Sequence, residues 1–195
     1  MADSLFNTLQ AQAYKAGVTP RTKDSQMWFR KKLMNMRNIN RQKLLRDSAV
    51  EKVQRPRMGD MYMFYYDAKH KDTLPYYDQF PLIIMVEKAP KGFYGINVHY
   101  LPLPLRAKFF DALLETATDD KYDEGTRLRT RYRMIKNVQK LRYFKPCFKH
   151  YLTSQVDSRI VKIQPTEWEV AMFMPVQRFK GATATQVWKD SKAMI

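Results

Sequence analysis

Residues 81–102 read PLIIMVEKAPKGFYGINVHYLP. Pro81 to Val86 is an unbroken apolar run, and a run this short opened by proline predicts a strand buried on both faces. Lys91-Gly92 turns the chain. Phe93 to Tyr100 then alternates apolar and polar, as a strand packed on one side does. Leu101-Pro102-Leu103-Pro104 ends it. The block predicts two adjacent antiparallel strands.

Upstream of it, Gly59-Asp60 marks a turn and Met61-Tyr62-Met63-Phe64-Tyr65-Tyr66 is an aromatic, strand-forming run. Three close strands with one long loop predict a small SH3-like bent antiparallel sheet or barrel. The loop, 67–80, holds His70, Asp72, Tyr76, Tyr77 and Asp78, a cluster with the residue types of an active site. Leu74-Pro75 and Phe80-Pro81 stiffen it, because proline restricts itself and its predecessor. The reading is architectural: a loop leading into a buried strand, with Tyr76 and Tyr77 folded over the core or facing a partner.

Downstream, Leu105 to Leu114 is an amphipathic helix entered from Pro104, and 119–125 is a polar loop. Thr126 to Leu141 predicts a helix, interrupted by Phe144-Lys145-Pro146. Cys147 to Leu152 predicts a further helical turn. Ser158 to Ile163 alternates and returns to the sheet. Thr166 and Glu169 have capping-box spacing before Val170–Met174, and Thr183 to Ala193 is a last helix. The fold class expected is α+β, a bent sheet or barrel flanked by basic helices.

The first 57 residues read differently. A helix from Ser4 ends at Gly17. A second, over Ser25–Arg37, has Thr22 or Asp24 as its cap, and Asn40 to Arg46 forms a third. This segment carries 13 Lys and Arg against 4 Asp and Glu, an excess of +9 out of +16 for the chain. The division expected is a basic helical arm, 1–57, on an α+β body, 58–195.

A surface this basic repels itself unless it meets a polyanion, and nucleic acid is the first candidate. No apolar run approaches the ~18 residues of a membrane span. Met1-Ala2-Asp3-Ser4 lacks the form of a secretory signal. One cysteine, Cys147, excludes an internal disulfide and a cysteine-rich zinc site.

Two basic patches are candidate phosphate contacts. The first is Arg30, Lys31, Lys32, Arg37, Arg41, Lys43 and Arg46, with Tyr14, Trp28 and Phe29 interleaved. These aromatics fasten the arm to the body more readily than they stack on bases, since their spacing is that of a packed helix face. The second patch is Arg127, Arg129, Arg131 and Arg133 with Lys136. Arginine forks fit phosphate oxygens where lysine is a point charge. His70, His99 and His150 lie on different elements, which argues against a metal site. The carboxylates Asp72, Asp78, Asp111, Asp119, Asp120, Asp123 and Glu124 show no spacing that implies a two-metal centre. No glycine-rich phosphate loop occurs. Cys147, three residues before His150, reads as a buried thiol. No catalytic residue, metal or cofactor is expected.

The turn before the first strand and the proline before the second resemble the small barrels of MazF- and PemK-type toxin ribonucleases over about thirty residues, without a match to their catalytic residues. A broader resemblance rests on several blocks: Thr19 to Ser25 with Trp28-Phe29-Arg30; Met61 to Asp67; Asp72-Thr73-Leu74-Pro75-Tyr76-Tyr77-Asp78; and Phe93 to Pro102. Phe144-Lys145-Pro146-Cys147 and Glu167-Trp168 extend it. These resemble a family of small basic proteins of T-even-like contractile-tailed phages, the DNA end protectors. The resemblance implies a virion protein that sits on the ends of packaged duplex DNA, shields them from host exonuclease after injection and helps complete the head. It implies contact with DNA termini, with portal, neck or tail proteins and with a host exonuclease, in the virion and the host cytoplasm. The alternatives are a structural neck or connector protein without end preference, and a PemK-like or metal-dependent nuclease.

Overall fold

The computed structural model describes residues 4–36, 39–118, 123–138 and 140–193. Three helices come first: α1 (Leu5–Lys15), α2 (Lys23–Met34) and α3 (Arg41–Arg46). Each is capped by the side chain of the preceding residue, Ser4, Thr22 and Asn40, which accepts an otherwise orphaned backbone N–H. Gly17 stops α1 with φ +72°. Phe6, Leu9, Phe29 and Leu33 enter the main core, so the basic segment is seated on the body.

The strands are β1 (Glu51–Val53), β2 (Met61–Met63), β3 (Tyr77–Asp78), β4 (Leu82–Ala89), β5 (Gly92–Asn97), β6 (Phe148–Leu152), β7 (Ile160–Ile163) and β8 (Phe179–Lys180). Six form one sheet, ordered β1-β7-β2-β4-β5-β6, with every pairing antiparallel, and β3 pairs with β8 apart from it. The remaining helices are α4 (Leu103–Thr118), α5 (Glu124–Val138), α6 (Trp168–Phe173) and α7 (Ala184–Ala193).

The expected strands 61–66, 81–86 and 93–100 are neighbours in this sheet as β2, β4 and β5. The run Leu82 to Val86 is buried throughout because both faces of the sheet are covered. Leu82, Ile84 and Val86 face the helices together with Met61, Met63, Val161 and Ile163. Ile83 and Met85 face a second core, built with Tyr62, Phe64, Tyr66, Phe93, Tyr151 and Ile160. In that core the Phe64 ring lies 5.4 Å from Tyr151 and 5.9 Å from Phe93, both edge to face.

Three expectations need correction. No closed barrel forms: β1 and β6 are free edges of the six-stranded sheet. A β-bulge between Met85 and Glu87 adds local twist, and residues 65–67 bridge across to 155–157 through the Asp67 and Asp157 amides. Residues 148–152 form strand β6 rather than a helical turn, because pairing with β5 buries Tyr151 in the second core. Thr166 and Glu169 form no capping box. Glu167 stands at the start of α6, and Glu169 is drawn away to Ser25 and the Arg21 amide on the first helices.

Candidate nucleic-acid interface

Helix α5 is fixed at its start by Asp123, whose carboxylate accepts from the Thr126 amide at 3.0 Å and its hydroxyl at 2.7 Å. These bonds hold the Asp123 carboxyl below its ordinary value. Arginine at every second position does not line one side of a helix. At ~100° per residue, positions two apart point to opposite sides and positions four apart nearly coincide. Arg129 and Arg133 are accordingly exposed.

Arg131 lies on the other side and is buried. Its guanidinium carbon sits 4.8 Å from the centroid of Trp168, with Nη1 at 3.5 Å from the Gly59 carbonyl and 3.9 Å from Asp60. Burial lowers its pKa, with Asp60 opposing. Arg131 thus ties α5 to the body and leaves the surface group. Arg127 is half-buried. Lys136 pairs with Glu87 on β4, a hydrogen bond that raises the lysine's pKa, and its ammonium lies over Tyr132.

In α2, Thr22 and Ser25 cap reciprocally. Ser25, Gln26, Phe29 and Leu33 turn inward, leaving Arg30, Lys31 and Lys32 exposed, with Lys32 5.9 Å over Trp28. Lys31 and Lys32 in the last turn also suit the helix dipole. Trp28 is half-buried and Phe29 is core, whereas Tyr14 projects at 81% exposure. Arg37 lies outside the described residues, as do Asp119 and Asp120. Arg41 is half-buried and donates to the carbonyls of Val176 and Gln177 at 2.7 and 3.1 Å, so it anchors α3. Lys43 and Arg46 are exposed.

Both basic helices hang on the same support. Helix α2 packs on α6, α5 stacks Arg131 on the first residue of α6, and α4 contacts α5 and α6. The fold adds basic residues that the charge runs did not mark. Lys52 and Arg159 join Arg46 around a hollow of about 460 Å³. They stand far apart in sequence and meet because β1 pairs with β7.

The 67–78 stretch gives no convergent carboxylates. Asp67 is held by Lys71 and Tyr77, and Asp72 is exposed. Asp78 is buried at 2% exposure and accepts four bonds: the Phe80 and Arg178 amides on Oδ1, and Asn97 and His99 on Oδ2, His99 Nδ1 at 2.6 Å. Burial raises the Asp78 carboxyl, but His99, the Arg178 amide and Asn97 together outweigh it and leave it below its ordinary value. Burial lowers His99 against the pull of Asp78. The His99 Nδ1 edge faces Asp78, and its buried Nε2 has no partner among the described residues. Nothing in the sequence joins these two residues. Their only mark there is a polar Asn97-Val98-His99 at the end of an apolar strand.

Among the described residues no three His, Cys, Asp or Glu side chains group as a metal site, and no helix is long and apolar enough to cross a membrane. Neither a curated protein nor a solved structure matches the chain. A family model does, over residues 1–191, and its description is phage T4 terminal DNA protecting protein. With nearly the whole chain matched, the protein belongs to the phage T4 terminal DNA protecting protein family.

Proposed function

We propose that the protein binds the ends of linear duplex DNA without cleaving it, shields them from host exonuclease and helps complete the phage head. The observation that carries this reading is the family match across residues 1–191. The surface is consistent with it: Arg129 and Arg133 on α5 and Arg30, Lys31 and Lys32 on α2 are exposed cations on rigid helices. Such side chains release counterions from a phosphate backbone, which supplies affinity but no preference for ends. End preference needs a further element that engages the terminus. In this reading the protein acts in the virion and in the infected cell, with portal, neck or tail proteins and a host exonuclease as its neighbours.

The test compares binding, across a salt titration, to a linear duplex and to the same duplex closed by hairpin caps, followed by exonuclease digestion of the bound linear form. Tighter binding to open ends with slowed digestion is the expected result. Equal binding to both forms overturns the end assignment.

A further inference from the structure

A cavity of about 430 Å³ opens between residues 66–78 and β6, within the ~300–1,000 Å³ of ligand sites. Its wall is largely aromatic: Tyr66, Tyr76, Tyr77, Tyr100 and Tyr151 line it. Several of the phenol hydroxyls are already used inside the protein. Tyr66 accepts from the Leu152 amide, Tyr77 donates to Asp67, and Tyr151 accepts from Asn97. The Tyr66, Tyr100 and Tyr151 rings are themselves nearly buried, so the ring surface open to a guest is chiefly that of Tyr76 and Tyr77. Asp78 also lines the cavity, with each carboxylate oxygen already bonded twice.

The other charged residues in the wall, Lys69 and Lys149, are both basic, and His70 and His150 stand beside them. Lys149 is the informative one. It is half-buried, its ammonium lies 4.3 Å from the Tyr100 centroid, and among the described residues no carboxylate pairs with it. A cation drawn out of water without an anion costs stability, and a site that keeps one is suited to receiving an anion. Burial lowers the pKa of Lys149 accordingly. Ring surface for a planar group beside an unpaired cation is the chemistry that recognises a nucleotide.

We propose that this cavity takes one unpaired nucleotide, with its base against the tyrosine rings and its phosphate on Lys149. Resting on the function proposed above, that nucleotide is the frayed or overhanging last residue of a DNA strand, and the cavity is the element that distinguishes an end from continuous duplex. The two basic helices then hold the duplex while the cavity holds its terminus.

The experiment uses the full chain and duplexes carrying 5-iododeoxyuridine either at the last position or internally, cross-linked by ultraviolet light and mapped by mass spectrometry. A parallel titration measures a free deoxynucleoside monophosphate and compares open with hairpin-capped duplex, for the wild type, Lys149→Met and Tyr76→Ala. The expected result is cross-linking from the terminal position alone, in peptides containing residues 66–78 or 148–152. Lys149→Met should weaken open-end binding ~10-fold, the order for losing one such contact, and leave the capped duplex unaffected. Terminal cross-links that fall on α2 or α5, or that match the internal position, overturn the cavity assignment, even where a preference for open ends survives. Monophosphate binding abolished by Lys149→Met, with no preference for open ends, keeps the nucleotide site and removes the DNA-end reading. Because the cross-link is read on the wild type, a variant that misfolds does not spare the proposal.

Discussion

Arg131 and Trp168 meet at 4.8 Å, guanidinium over indole, at the point where the most basic helix of the chain joins the body. The pair separates two roles that the sequence writes alike. Arg131→Ala removes a buried cation–π contact and one of the two cations beside Asp60, the other being Lys162, and is expected to cost roughly 2 kcal/mol of stability. Chemical denaturation measures it. A loss below about 0.5 kcal/mol, the range of an ordinary surface change, would sink the anchoring role.

Arg129 and Arg133 should behave in the opposite way. Both are exposed and i,i+4 on α5. Replacing both with alanine should leave the denaturation midpoint nearly unchanged and reduce the slope of log affinity against log salt by ~2, about one unit per lost phosphate contact. An unchanged slope would mean that α5 does not face DNA.

Two glycines give a steric contrast. A Cβ on Gly92 would stand 1.9 Å from the Tyr151 carbonyl oxygen, a backbone atom that cannot swing aside. Gly92→Ala should therefore separate β5 from β6, with a loss of roughly 3 kcal/mol or more, at or above the upper end for overpacking. Gly17 has φ +72° and open space around it, so Gly17→Ala pays only for its left-handed backbone, ~1 kcal/mol. Thermal melts of the two variants should rank in that order.

Cys147 is fully buried at the end of the 3₁₀ turn that leads into β6, and burial pushes its thiol up to about 12. A thiol reagent at neutral pH should label it at the rate of global opening, accelerating in step with denaturant-induced unfolding. Fast labelling of the native protein would contradict the burial.

What could be read from the chain divides along physical lines. Local rules were sufficient for the starts of the first three helices, with Thr22 rather than Asp24 capping the second, and for the stop at Gly17, because each depends on neighbours within four residues. The doubly buried β4 was legible because a short, continuous apolar run needs cover on both faces wherever it lies. Residues 148–152 were not, because Phe-Lys-His-Tyr-Leu becomes a strand only by pairing with β5, far earlier in the chain. The same holds for Glu169, whose capping spacing lost to a tertiary partner, Ser25. In the candidate interface, charge density located α5, but density cannot tell Arg131 from Arg129. That distinction is a helical phase, and it depends on the whole segment being helix rather than strand. Lys149 is the last of nine Lys and Arg in the acid-free stretch 125–156, and what separates it from them is the cavity around it.

The Asp78–His99 pair fixes the expected response to acid. Asp78 in the fold lies below its usual 3.8 and His99 below its usual 6.5. For both groups the unfolded chain binds protons more readily, so each contributes stability that is present above its unfolded value and lost as pH falls. The histidine's share fades first, as pH drops below about 6.5, and the aspartate's follows below about 3.8. The melting temperature should therefore decline from neutral pH to about pH 5, before most carboxylates titrate. Nitrogen-15 spectra of the imidazoles assign the cause. The His99 ring should hold its proton on Nδ1, hydrogen-bonded to Asp78, and stay neutral as pH passes below about 6.5. A His99 signal that becomes protonated at or above that value would mean that Asp78 wins over burial. The pair would then be ionic, and the loss of stability would move to the pH range where the carboxylate itself is protonated.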